Sequence, residues 1–463
     1  MSQQDKWSAF ETYVAEAMSN QHIAGLAAAV SVGGEVVYAK GFGQRDLGEG
    51  AAVTPDTVFG LASVSKSFSA MAVTRLVDAG KVDFDAPVTD YLPNFRLRGA
   101  RDMAAIKVRH VLSHTTGLPP MKRRPELKTF DEHVDYLATA DYQLLGAPGE
   151  YFSYCNDTFL LSGAIIERVT GMAYRDYMMQ LVRSIGMPRT TYFLDDFQAL
   201  GNVTDLYVWD RKAGKHEKRP WFELGTYAPG GGVRSTVRDL LNYGAVYVNG
   251  GTAGRCRLIS SSVLRRMYQP VYQTGRRTHY CFALQTTPDY AGTGLTLVEH
   301  GGNQIGVASN FGFIPEKELV AVVLTNTSGA PANPLWLALV NAALGLPLGQ
   351  KRSEEPADFR PTPEQLRHFA GTYKSAEGGR LRMTVRGDEL GAAVEGEPEP
   401  LVARATDERT VVFHFGGQER IARFYPDDHT APGRFWAVFY GSRMLRRVPD
   451  DEAEKEETAG GAN

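Results

Sequence analysis

The sequence predicts an α+β chain: an antiparallel sheet with helices, followed by a small antiparallel β-barrel. Three observations lead there. Two strand-like runs meet at Gly33-Gly34, and a long helical insert follows them, which weighs against the regular strand-helix alternation of a doubly wound sheet. Val307 to Ile314 and Leu319 to Asn326 return much later as an antiparallel meander. Beyond a charged, proline-bearing stretch at 351–363, short alternating runs separated by Gly, Asp and Pro recur as far as Val448. The expected organisation is one domain over 1–350, a linker over 351–363, a barrel over 364–449 and an acidic, disordered tail over 450–463.

At 463 residues the chain exceeds one ordinary core. Its 43% hydrophobic and 22% charged residues and net charge of −3 give no basic field for nucleic acid. Met1 to Gln21 has no apolar signal-like core. Its Trp7, Phe10, Val14 and Met18 instead repeat as one stripe of a charged helix. No later stretch supplies the roughly 18 apolar residues of a membrane span. A cytoplasmic address, no membrane association and a monomer are therefore expected. Cys155, Cys256 and Cys281 are odd in number and widely spaced, which argues against a disulfide framework and a zinc site. No metal or other cofactor is expected.

In chain order, Ile23 to Val32 and Glu35 to Ala39 read as a hairpin. An amphipathic helix from Ser63 to Ala79 repeats Phe68, Met71, Ala72, Leu76 and Ala79 at helical spacing and stops at Gly80. Val88 to Arg101 is loop-like. His110 and His114 stand four apart without a third ligand, and read as structural histidines. The turn at Pro148-Gly149-Glu150 leads to a polar-aromatic stretch and a helix from Thr158 to Val169. Residues 201–232 form an irregular, aromatic-rich region, either a pocket wall or a surface loop. A helix from Thr236 to Val248 follows, then strands at Cys281 to Thr286 and Leu295 to Glu299. In the barrel, Arg434 to Val448 reads as one strand that puts Trp436, Val438, Tyr440, Ser442, Met444, Arg446 and Val448 on one face. Arg446 is then a charge on a mostly apolar side. It either turns to solvent at a bulge on Gly441 or reaches the mouth of a site in the first domain.

Three short motifs carry chemistry. Lys66 stands one turn behind Ser63, so its amine can serve the hydroxyl as base if burial or nearby cations lower its pKa; the plain alternative is an N-cap serine near a surface lysine. Tyr154 and Asn156, two apart in an extended segment, project to one side. The plain alternative there is a buried tyrosine at a helix start. His300-Gly301-Gly302-Asn303 lies between strands and lets a substrate backbone come close, or is simply a turn.

Taken together, Ser63-x-x-Lys66, Tyr154-x-Asn156 and His300-x-Gly302 resemble, in order and spacing, the three motifs of the serine beta-lactamase and penicillin-binding-protein superfamily. The resemblance covers residues 20–345. The Ser113-His114-Thr115-Thr116-Gly117-Leu118 segment and the Pro148-Gly149-Glu150 turn resemble the class C-like branch. It implies a beta-lactamase/transpeptidase-like domain with Ser63 as acylated nucleophile and Lys66 and Tyr154 as proton-transfer pair. Asn156 would be a substrate-amide ligand and His300 the third-motif residue. The backbone N–H groups of Ser63 and Asn303 would form the oxyanion hole. Many members carry lysine where this chain has His300, so beta-lactam hydrolysis is less favoured.

A domain of this kind followed by a lipocalin-like barrel resembles penicillin-binding-protein-type thioesterases, which cyclise nonribosomal peptides. That resemblance implies a peptidyl carrier protein or peptidyl thioester as partner, with a D-configured C-terminal residue. Trp209, Trp221 and Glu223 are the expected acceptor-side groups, and Arg446 a substrate contact from the barrel. The alternative is a D-stereospecific peptidase, amidase or esterase that uses water.

Overall fold

The computed structural model describes residues 3–352, 359–395, 397, 399–415, 418–427, 433–449 and 452. A nine-stranded antiparallel sheet runs in the order Tyr272–Gln273, His279–Tyr280, Gln285–Tyr290, Leu295–Gln304, Val307–Ile314, Leu319–Thr325, Gly25–Val32, Glu35–Asp46, Ala51–Ala52. Its centre is buried on both sides, so its strands are continuous apolar runs rather than alternating ones. Leu26, Ala28 and Val30 face one core with Leu319, Ala321 and Val323, under the helices Gln3–Asn20 and Ala332–Leu344. Ala27, Ala29, Val320, Val322 and Leu324 face the other, which holds the helical part of the domain. Trp336 closes the first core and donates its indole N–H to the Ala321 carbonyl at 2.8 Å.

The first hairpin turns at Gly33 and Gly34, both at positive φ as its two-residue turn requires. Phe10 and Val14 of the first helix are buried, with Trp7 and Met18 packed beside them. Behind the sheet lies the helix Ser65–Asp78, buried along most of its length. The expected helix from Thr158 starts two residues early as Asn156–Phe159 and continues as Leu161–Thr170.

Two expectations about strands and loops fail in this domain. The region 201–232 is not irregular throughout: Leu206–Asp210 and Lys215–Arg219 pair as a hairpin. The second arm, Lys-His-Glu-Lys-Arg, has no apolar periodicity to reveal it. Backbone pairing holds it, together with Trp209, which stacks on His22 at 3.7 Å between ring centroids. The apolar run from Cys281 is not a strand either. Ala283 has φ +53° and its N–H donates to the Leu112 carbonyl, so the chain turns inside the core, and the strand begins only at Gln285.

The second unit is a closed antiparallel barrel of eight strands, in which the first, Gly371–Lys374, also pairs with the last, Arg443–Arg447. Between the alternating runs expected at Leu381 to Val385 and Val411 to Phe415 lie two strands that were not expected, Glu389–Val394 and Leu401–Asp407. Within the expected linker, 353–358 lie outside the described residues, and Pro363 opens a capped helix, Pro363–Phe369, whose Leu366 and Phe369 enter the barrel core. Of the expected tail, only Glu452 is described.

The expected single strand from Arg434 to Val448 is two strands. Phe435–Tyr440 and Arg443–Arg447 are joined by Gly441 and Ser442, both at positive φ. Tyr440 pairs with Arg443 and Val438 with Leu445, so the turn reverses which side each parity faces. Val438 and Leu445 enter the barrel, whereas Ala437 and Met444 face the first domain, packed with Leu145 against Tyr151, Trp436 and Phe439. Backbone joins the two units as well. The Tyr154 N–H donates to the Ser442 carbonyl at 2.9 Å, and the Met444 N–H to Ser153 Oγ at 3.1 Å. Among the described residues, no helix is long and apolar enough to cross a membrane.

Candidate active site

Ser63 sits in a single 3-10 turn, Ala62–Val64, directly ahead of the long helix and not within it. Ala62 holds φ +46°, a strained value for a residue with a Cβ, and buried Leu61 and Val64 pin the turn on either side. His300 to Asn303 is no turn; it continues the strand Leu295–Gln304 past the turn that carries Ser63. Gly302 makes that approach possible. A methyl group there would collide with the Leu61 carbonyl and the Ser309 hydroxyl and lie 3.0 Å from the Ser63 nitrogen. Gly302→Ala should therefore push the strand off the nucleophile and slow acylation by about a hundredfold, as small misplacements of reacting groups do. Single-turnover labelling with an activated ester measures this, and a wild-type rate would show that the strand does not position the site.

Lys66 is wholly buried, and its Nζ lies 2.9 Å from Asn156 Oδ1, 3.0 Å from the Gly230 carbonyl and 3.5 Å from Ser63 Oγ. Burial lowers its pKa well below that of an ordinary lysine, and the guanidinium groups of Arg123 and Arg443 lower it further. A neutral amine has two hydrogens and one lone pair. The hydrogens satisfy Asn156 and Gly230, which leaves the lone pair for the Ser63 hydroxyl proton. Asn156 thus orients the base as well as lining the cleft.

Tyr154 places its ring centroid 4.8 Å from Lys66 Nζ. Burial pushes its hydroxyl up to about 12, although the nearby Ser63 hydroxyl and Arg443 guanidinium favour the anion. The buried hydroxyl lies beside the Ser63 hydroxyl and has no other hydrogen-bond partner among the described residues, so it is placed to relay a proton. Its ring rests on His114, 4.1 Å away between centroids. His114 Nδ1 accepts the Cys155 N–H at 3.2 Å, and His110 Nδ1 accepts the Lys107 N–H at 3.1 Å, so both histidines have backbone work to do.

His300 is buried beside Lys66, and its pKa falls to about 4, chiefly through burial. Its Nδ1 donates to the Gly301 carbonyl at 2.6 Å. This fixes the tautomer, and the Nε2 lone pair accepts the Tyr280 hydroxyl at 3.0 Å. The ring is neutral and fully engaged, so no cation stands at this position for a substrate carboxylate.

These assignments set the pH dependence of acylation. Lys66 must be neutral and its pKa is depressed, so activity is lost as pH falls through that lowered pKa. Tyr154 is raised, so no alkaline loss arises from it until near its value of about 12. A kcat/KM profile should show one acidic limb and an alkaline plateau; an alkaline limb near pH 8 would contradict the burial of Tyr154.

The cleft above Ser63 has a volume of about 400 Å³. Tyr154, Asn156, His300 and Asn303 line it from the first domain, and Arg420, Ser442 and Arg443 from the barrel. Arg446 does not reach it. Arg446 shares the outward side of Met444, lies over Trp436 and donates to the Leu144 carbonyl at 2.6 Å. The residue that reaches the site is Arg443, which lies 4.8 Å from the Tyr154 ring centroid and pairs with Glu377 at 2.9 Å. Gly441-Ser442, taken as a two-residue turn rather than as part of one strand, is the sequence signal that points to Arg443. Glu223 also turns away, onto Arg175 at 2.7 Å and the Leu194 N–H. Trp221 donates to the Thr204 carbonyl and packs on Ala62, behind the nucleophile's turn. Trp209 stays in its hairpin, on His22. From this stretch of chain, Leu224, Tyr227, Gly230 and Gly231 form the wall near Ser63.

Residues 10–344 match the family Beta-lactamase, and the chain belongs to that family of serine-hydrolase-type proteins. Penicillin-binding protein 4 of Amycolatopsis lactamdurans is 29% identical over 385 residues, 78% of this chain and 95% of the relative. Unguisins hydrolase ungD' of Aspergillus campestris is 26% identical, over 69% of this chain and 61% of that protein. The octameric penicillin-binding protein homologue from Pyrococcus abyssi is similar across 95% of this chain and 99% of its own, with TM-score 0.69 and 25% identity. SurE shares the fold across 96% of this chain and 100% of its own, with TM-score 0.75 and 22% identity.

Proposed function

We propose that the protein is a trans-acting thioesterase: Ser63 takes a nonribosomal peptide, ending in a D-configured residue, from a carrier-protein thioester, and the peptide's own amine releases it as a macrolactam. The observation that carries the acyl-transfer part is the buried amine of Lys66, its pKa lowered by that burial, at 3.5 Å from the Ser63 hydroxyl. In this reading Lys66 takes the hydroxyl proton as Oγ attacks the thioester carbonyl. The backbone N–H groups of Ser63 and Asn303 hold the oxyanion, and Tyr154 relays the proton to the departing thiolate. The same groups run in reverse for the second step, in which an amine attacks the seryl ester. Ser442 and Arg443 of the barrel line the cleft beside Ser63, and an ester partly covered in this way meets less water. SurE, a protein of the same fold, has been solved with D-Leu.

A second reading, release by water, is supported by the name of one relative, the unguisins hydrolase. One experiment separates the two. The full chain is incubated with a peptidyl thioester ending in a D-residue, and the products are weighed by mass spectrometry. A macrolactam as main product supports the cyclase, and the linear acid, heavier by one water, the hydrolase. Absence of thiol release would overturn both.

A further inference from the structure

The walls of the cleft reverse the charge balance of the chain. The whole sequence has 53 acidic against 50 basic residues, yet among the described residues lining the cleft there are three arginines and no aspartate or glutamate. The charge of Arg443 is already matched by Glu377. Arg123 and Arg420 are different. Arg123 meets the Tyr227 ring at 5.8 Å, and the nearest acid in sequence, Glu126, pairs with Arg124 instead. Arg420 meets the Phe415 ring at 5.8 Å, and its Nε is buried without a hydrogen-bond partner among the described residues. One belongs to the first domain and the other to the barrel, and both line the space that contains Ser63.

The Nε of Arg420 is withdrawn from water without a partner among the described residues, although the residue as a whole is only half-buried and Arg123 is exposed; a carboxylate or phosphate completes both guanidinium groups best. His300, neutral and held by Gly301 and Tyr280, contributes no charge. We propose that Arg123 and Arg420 form an oxyanion subsite spanning the two domains, which binds a carboxylate or phosphate group on the acyl donor. The inference rests on the acyl-transfer reading of Ser63 and names its substrate class: a donor with an anionic group within the cleft. That group has two sources, an acidic side chain on the peptide or the phosphate of the carrier's thiol arm.

The test uses the full chain and two matched pairs of thioesters of one D-terminated peptide. The first pair differs only in the thiol, pantetheine against 4′-phosphopantetheine; the second differs only in the peptide, glutamine against glutamate. The anionic member of one pair should show a KM about tenfold lower at low salt, the size of effect expected for a charge-assisted contact. The gap should shrink with ionic strength and collapse in Arg420→Gln and in Arg123→Gln. A gap in the first pair assigns the phosphate, and one in the second the carboxylate. Equal KM values within both pairs, or a gap that survives in both variants, would overturn the subsite. If no thioester turns over, the thioesterase reading fails by itself. Calorimetric titration of pantetheine, 4′-phosphopantetheine and matched Gln and Glu peptide acids then reads the subsite directly. Tenfold tighter binding of an anionic ligand that is lost in the variants supports it, and equal affinities overturn it.

Discussion

Lys66→Ala is expected to slow acylation of Ser63 by about three orders of magnitude, the range associated with loss of a positioned general base. Lys66 has no substitute, because His300 is locked by the Gly301 carbonyl and the Tyr280 hydroxyl. Tyr154→Phe removes the relay hydroxyl and should cost a comparable factor. The two act on one proton path, so the double variant should be little worse than either single one. Stopped-flow labelling with an activated ester provides the rates. Losses that multiply would show two independent contributions and would dismantle the path. Ser63→Ala, in the same assay, should abolish labelling while leaving the fold intact.

A chain ending at Arg352, without the barrel, should lose acyl turnover by about a hundredfold or more, although every group of the Ser63–Lys66–Tyr154 set remains. Three losses coincide. The Tyr154 N–H exchanges the fixed Ser442 carbonyl for mobile water, which no longer holds its backbone in place. Arg443 leaves the Tyr154 ring. Leu145, Tyr151 and Phe152 lose the apolar cover of Ala437, Phe439 and Met444, so the segment leading into Tyr154 is free to move. Arg443→Ala in the full chain removes only the second of these and should cost far less. Full turnover by the shortened chain would show that the barrel has no part in the chemistry.

The sequence made the Ser63–Lys66 pair legible because a spacing of three puts two residues on one face in a 3-10 turn as in an α-helix, and the end of the helix that follows is marked by Gly80. It showed Tyr154 and Asn156 as neighbours but not why. Asn156 holds the lysine, a contact across 90 positions that no periodicity encodes. The two-sided burial of Gly25–Val32 and Leu319–Thr325 was readable as continuous apolar runs. The charged strand Lys215–Arg219 was not, since its pairing rests on backbone bonds. Arg443 was missed for a specific reason. Alternation continues through both arms of the hairpin, so the two residues of its turn, Gly441 and Ser442, are easily counted as strand. Every side chain after them is then assigned to the opposite face. Glu223 and Trp221 were drawn to the site by chemistry and sequence proximity, whereas Arg175 and the Thr204 carbonyl hold them away from it.

The burial of Lys66 also has a thermodynamic side. An amine whose pKa is lowered on folding binds fewer protons in the native chain than in the unfolded one. From this group alone, stability rises with pH between the lowered native pKa and the ordinary lysine value of 10.5, and it is independent of pH below and above that window. Such a group works against its own fold at neutral pH, because folding must strip a proton from an amine that would otherwise keep it. Lys66→Met fills similar volume without that proton release. The inactive protein should be more resistant to urea than the active one, and the difference should fade as pH approaches 10.5. Retention of the lysine is then a sacrifice of stability in favour of turnover, made at a single position of the Ser65–Asp78 helix.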